Sequence, residues 1–209
     1  MENQLKRYLI IALVLSSYLL ILTVFLLTPT NNAFNFVVRL CGLFGFLSIS
    51  ITIIVVPFAA KLYKIFGKSF IIIHHTFASL GLILITLHPI ALLLLVLDPA
   101  IFIPVFSDWL TFWRLAGRPA LILIYVGVLS AVLRKKISKY WKQIHMILYI
   151  AFIFGFVHGI LIGTDLKKAF MLLIFLVLFV FVSYSFVLKR YQIYKIKAKK
   201  KKSKIIQGN

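Results

Sequence analysis

The chain has 209 residues, 63% hydrophobic and 13% charged, with a mean hydropathy of +1.08, a composition that excludes a water-soluble surface. Four acidic residues stand against 24 basic ones, which leaves too few carboxylates for a metalloprotease, a glycosidase or another enzyme built on paired acids. A single cysteine, Cys41, excludes an internal disulfide, a thiolate zinc cage and an iron–sulfur cluster.

A hydrocarbon core of about 30 Å needs roughly 20 apolar residues per helix, and six stretches qualify. The first, near 8–28, follows Lys6 and Arg7 like a secretory signal, but its apolar run is too long for one and no A-x-A site follows. It is expected to be an uncleaved first helix. The second, near 34–57, carries Arg39 close to its start, where either a snorkelling cation or a partner for an anionic group is expected. The third, near 69–97, holds His74, His75 and His88. The connection from Asp98 to Leu115 contains Trp109 and Trp113 and is expected at the headgroup depth that Trp prefers. The fourth stretch lies near 117–133; the fifth, near 143–163, holds His145 and His158; the sixth lies near 169–188. The expected fold is an all-α membrane protein, a six-transmembrane-helix bundle forming one domain over 1–188, with a basic tail over 189–209.

Basic loops stay on the cytoplasmic side of a membrane. Nineteen Lys and Arg residues fall at the N-terminus, between stretches two and three, between four and five, and in the tail, against five on the other side. Three of the four acids, Asp98, Asp108 and Asp165, share that poorer side. The asymmetry predicts a multi-pass protein of the plasma (cytoplasmic) membrane with both termini cytoplasmic. It also accounts for the net charge of +20 without nucleic acid as a partner. The tail reads as an anchor on anionic lipid.

Ionisable side chains inside a bilayer are expensive and mark functional pathways. All five histidines lie in stretches three and five: His88 is 14 residues beyond His74 and 13 beyond His75, and His158 is 13 beyond His145. At 1.5 Å per residue, such gaps place one imidazole of each helix roughly 20 Å above the other. The two helices run the same way, so His74 or His75 meets His145 at one depth and His88 meets His158 at the other. Two stacked imidazole pairs are what two six-coordinate b-type hemes require, whereas zinc would need further ligands that the spans lack. Helix phase returns a residue 14 positions on to nearly the same face, which favours His74 over His75. Helix five, with its 13-residue gap, needs tilt, local over- or underwinding, or approach from different flanks. Gly81, midway between His74 and His88, and Gly155 and Gly159 around His158 are positions for either close cofactor approach or helix packing. Phe77, Tyr149, Phe152 and Phe154 are expected between the two depths, and Lys64, Lys68 and Arg134 near the inner one.

The stretch from Arg118 to Asp165, with its basic loop, W-x-x-x-H ending at His145 and H-G-x-x-x-G-T-D starting at His158, resembles the ferric reductase-like transmembrane domains. These are heme b membrane cytochromes related to ferric reductases and NADPH oxidases. The likeness extends over about residues 35–185. It implies that His74 and His145 ligate an inner heme iron and His88 and His158 an outer one, the doubled His74–His75 leaving the inner ligand open. Flavin-fused members continue into a nicotinamide-binding domain. Here about 20 mostly basic and polar residues follow the last stretch, with no G-x-G-x-x-G. The resemblance therefore implies a separate flavin/NAD(P)H reductase or a quinol as donor, and ferric iron, oxygen or an exported redox partner as acceptor.

The expected function is a di-heme b-type cytochrome carrying electrons from the cytoplasmic to the outer face, a ferric reductase-like oxidoreductase or its electron-transfer subunit. Two alternatives stand beside it. One is the heme-binding membrane subunit of a methionine sulfoxide reductase-like system, and the other a transporter or proton channel using the histidines as a relay.

Overall fold

The structure is a computed structural model that describes residues 2–28, 30 and 32–207. Among these residues every regular element is helical and there is no strand. The elements in chain order are α1 (Glu2–Leu26), α2 (Ala33–Ile54), α3 (Ala59–Phe66), α4 (Phe70–Val96), α5 (Trp109–Arg114), α6 (Gly117–Val132), α7 (Trp141–His145), α8 (Ile147–Ile162) and α9 (Ala169–Gln207). Single 3-10 turns at Val56–Phe58, Pro99–Phe102 and Asp165–Lys167 link them.

Among the described residues five stretches are long and apolar enough to cross a membrane: Glu2–Leu26, Ala33–Phe66, Phe70–Val96, Trp141–Ile162 and Ala169–Lys200. The helix α6 is apolar but has only 16 residues, about 24 Å of rise against a core of about 30 Å. All six expected stretches are thus helical, five of them at spanning length. Their outward surfaces carry exposed Leu13, Leu15, Leu19, Val180 and Phe181, a pattern compatible with an integral membrane protein.

The first helix begins at Glu2, ahead of the expected start near 8, and three further boundaries differ from the sequence expectation, each for a local reason. The second stretch ends at Ile54 because Pro57, which has no N–H, opens a 3-10 turn. It restarts as the short α3, which buries Leu62 and exposes Lys61, Tyr63 and Lys64. Gly67, at φ 65°, closes α3 by donating its N–H to the Tyr63 carbonyl; this left-handed position is one glycine adopts without a Cβ penalty. The fifth stretch is interrupted at Met146, beside His145. The sixth has no break at 188: Lys189 and the basic residues after it continue α9, since Lys and Arg are good helix formers and neither Gly nor Pro intervenes before 208. The side chains of Lys201, Lys202 and Lys204, and residues 208 and 209 of the expected tail, lie outside the described residues.

The helix α2 is the centre of the bundle. It packs most extensively on α4 and also touches α1, α8 and α9. Its buried face includes Ser48, Ser50 and Thr52, whose hydroxyls donate to the carbonyls of Phe44, Phe46 and Ser48 one turn back at 2.7 to 2.8 Å. Buried hydroxyls without water need such partners. A second helix pair, α6 on α8, forms the other half.

Candidate functional site

The two helix pairs enclose a cavity of about 1130 Å³. Small-molecule sites usually occupy roughly 300 to 1,000 Å³, so this one has room for more than one ligand of ordinary size. All five histidines line it, from α4 on one wall and from α7 and α8 on the other. His88 and His158 stand at one end, beside the start of α2, and His74, His75 and His145 at the other, beside its end.

Four of the five are held in the same way. The Nδ1 of His74 donates to the Thr52 carbonyl at 3.2 Å, that of His88 to Val38 at 2.8 Å, that of His145 to Gly127 at 3.0 Å and that of His158 to Arg114 at 2.7 Å. A carbonyl only accepts, so each Nδ1 carries the proton and the Nε2 of each neutral ring keeps its lone pair. Among the described residues none of the four Nε2 atoms has a hydrogen-bond partner. Such an orienting bond to a carbonyl is the usual outer support of a metal-ligating imidazole.

The spacing of the acceptors mirrors that of the donors. Val38 and Thr52 are 14 residues apart on α2, as His88 and His74 are on α4. Arg114 and Gly127 are 13 apart across α5 and α6, matching His158 and His145. Antiparallel neighbours in register supply one carbonyl per imidazole at each depth. His75 has no such bond among the described residues and its side chain is exposed, whereas the other four are partly buried. The neighbour His74 is the one built into the wall.

At one end the His88 and His158 rings lie 6.4 Å apart between centres, with planes at 88°. His88 and His158 are the residues that would hold an iron at this end, and the iron would supply one-electron chemistry there. Two glycines that sequence reasoning missed make room for these rings. A Cβ on Gly117 would meet His158 Nε2 at 2.8 Å, and one on Gly42 would meet His88 Nδ1 at 3.1 Å. Pro89, directly after His88, also lines the cavity.

The other end is shaped by the interruption at Met146. Its N–H is shared between the Lys142 and Gln143 carbonyls, and Tyr149 N–H returns to the Met146 carbonyl in a 3-10 step. This tightening between His145 and His158 is the local overwinding that a 13-residue gap calls for. Trp141 packs beside His145 at 6.3 Å between ring centres.

Several expected partners are placed differently. Arg39 lines the cavity and holds an anionic group of the chain itself: its Nε and Nη2 donate to the Asp165 carboxylate at 2.8 and 2.5 Å, and Nη2 also donates to the Thr28 carbonyl. Gly81 is a packing glycine, because a Cβ there would meet Ile49 of α2 at 2.7 Å. Gly155 and Gly159 do line the cavity, and a Cβ on Gly155 would meet nothing within 4 Å. Tyr149 and Phe152 line it too, with Phe152 stacked on Phe46 at 4.7 Å. Phe77 instead packs into the main core, and Phe154 packs against Phe112 and Trp113. Arg134 lines the cavity; Lys64 and Lys68 do not. Asp108 caps α5, and the Thr111 backbone N–H holds its carboxyl below the usual carboxylate range.

Among the described residues no group of three or more His, Cys, Asp or Glu could hold a metal ion. The imidazoles converge in pairs, which suits an iron whose equatorial ligands come from a macrocycle and does not suit a zinc cage. Comparisons with protein-family models, with curated proteins and with solved structures found no match.

Proposed function

We propose that the chain is a six-span, di-heme b-type membrane cytochrome, with both termini in the cytoplasm, that carries electrons from the cytoplasmic to the outer face of the membrane. The observation that carries this reading is the fourfold repetition of one arrangement. Four imidazoles, in two pairs at two depths, have Nδ1 tied to a carbonyl and Nε2 unpartnered beside a single large cavity. Helix packing alone explains why a buried imidazole is hydrogen-bonded, since an unpaired polar group in hydrocarbon costs several kcal/mol. It does not explain why the same nitrogen is left bare four times.

In this reading His74 and His145 hold the inner heme and His88 and His158 the outer one, in agreement with the resemblance of residues 118–165 to ferric reductase-like domains. When bound, the hemes supply one-electron chemistry between ferric and ferrous iron. The chain's own residues orient the ligands, exclude water and hold the protons on Nδ1. Gly42, Gly117 and Gly155 keep space open around the rings. The donor is a separate cytoplasmic flavoprotein or a quinol, and the acceptor is ferric iron, oxygen or an exported redox protein.

A dithionite-reduced minus air-oxidised spectrum of the purified protein, with heme quantified as the pyridine hemochrome, tests the reading. Low-spin b-type bands at about two hemes per chain are expected, falling to about one in His74→Ala and unchanged in His75→Ala. Colourless protein from heme-replete cells overturns it and moves a histidine relay to first place.

A further inference from the structure

The helices α4 and α6 face each other across the cavity and close on one another along part of their length. Leu82 and Ile85 of α4 pack with Ala120 and Ile124 of α6, and the hydroxyls of Thr86 and Tyr125 are hydrogen-bonded at 2.7 Å. Towards the His74 end the residues change character. Ile71, His75 and Ser79 of α4 and Val132 of α6 line the cavity and are also exposed. Side chains that face both the cavity and the outside mark an opening, and one between two apolar helices faces lipid when the bundle is in a membrane.

His75 and Ser79 are the polar groups of this opening. The hydroxyls of Thr76 and Thr86 on the same helix donate to the Ile72 and Leu82 carbonyls one turn back. The Ser79 hydroxyl and the His75 ring, by contrast, have no hydrogen bond among the described residues, and both are exposed. An imidazole and a hydroxyl left without partners on a lipid-facing wall are costly. Four residues apart on a helix, they stand about 5 to 6 Å from each other, close to the separation of the para oxygens of a quinol ring. The His75 ring is 5.8 Å from the His74 ring between centres, so a molecule held there lies beside the imidazole assigned to the inner iron.

We infer that this opening is the binding site of a lipid-soluble quinol, which enters from the membrane between α4 and α6 and hydrogen-bonds through its two hydroxyls to His75 and Ser79. The inference rests on the heme reading and chooses the quinol from its two donors. Ile71 and Val132 flank the apolar ring and tail. Oxidation of one quinol to quinone breaks its two O–H bonds and releases two protons to water at the cytoplasmic face. Its two electrons pass one at a time to two ferric irons, which become ferrous.

The test irradiates full-length protein in detergent with a decyl-tailed azidoquinone and maps the labelled peptides by mass spectrometry. Label is expected on α4 around His75 or on α6 around Val132, and unlabelled decylubiquinone should displace it. His75→Leu and Ser79→Ala should each weaken that displacement roughly three- to tenfold, the scale of one lost hydrogen bond, with heme per chain as in wild type. Reduction by decylubiquinol, followed at the Soret band, should slow in the same variants. Label confined to other segments overturns the assignment. So does label here that phosphatidylglycerol displaces as well as the quinone does, which would identify an acyl-chain site. Coloured wild type that takes no label overturns it too and leaves the flavoprotein as donor. Should the variants not fold, the wild-type map and its competition decide alone. Colourless protein sinks the heme reading, and the map then decides the binding site independently.

Discussion

Two glycines set the dimensions of the outer histidine pair. His88 reaches the Val38 carbonyl by passing over Gly42, and His158 reaches Arg114 beside Gly117. At Gly117 the atom that a methyl group would meet is Nε2, the nitrogen assigned to iron. Gly117→Ala is therefore expected to lower heme content from about two per chain to about one, leaving the spectrum of the inner site. Gly155→Ala, which meets nothing within 4 Å, should retain more heme than Gly117→Ala. Equal heme in Gly117→Ala and wild type, by pyridine hemochrome, would contradict the placement of His158.

At the scale of elements, the Arg39–Asp165 pair ties α2 to the turn between α8 and α9. Both side chains are buried, and Arg39 and Lys168 also hold the Thr28 and Leu27 carbonyls that end α1. Removing one partner of such a pair leaves an uncompensated charge and costs roughly 3 to 5 kcal/mol, while replacing both with apolar residues of similar volume is often close to neutral. Arg39→Met should therefore lower the thermal midpoint in detergent sharply, and Arg39→Met with Asp165→Leu should recover most of the loss. A double variant no more stable than the single one would show that the pair does more than join elements. The same scale explains the histidine register. A 14-residue repeat on α2 faces one on α4, so a single packing interface orients both ligands of that wall.

At the scale of the whole molecule, the charges divide along the bundle. The basic loop around Lys135 and Lys136 and the helical extension of α9 belong to one end, while Asp98, Asp108 and Asp165 belong to the other. Cys41 is the single cysteine and is buried, so its replacement by serine gives a background for labelling. In that background Ser107→Cys should react with an impermeant maleimide on intact cells, and Ser138→Cys only after permeabilisation. The opposite pattern would reverse the proposed orientation.

Much of this was legible in one dimension. Long apolar runs become helices because hydrocarbon allows no unpaired backbone, so all six stretches and the pairing of histidine depths follow from period and rise alone. The doubled His74–His75 shows where that reasoning ends: adjacent residues share composition and depth, and only the carbonyl of Thr52 on another helix separates them. Gly42 and Gly117 escaped for the same reason, since their role lies in which imidazole crosses them and not in any local pattern. Arg39 was visible as a buried cation, but its partner lies 126 residues away. The sequence by itself determined which stretches are helical and the relative depth of each histidine, because these depend on rise per residue and hydropathy. The tertiary structure decided which imidazole turns inward, which glycine admits it and which carboxylate Arg39 holds, because those depend on contacts between chain segments far apart in sequence.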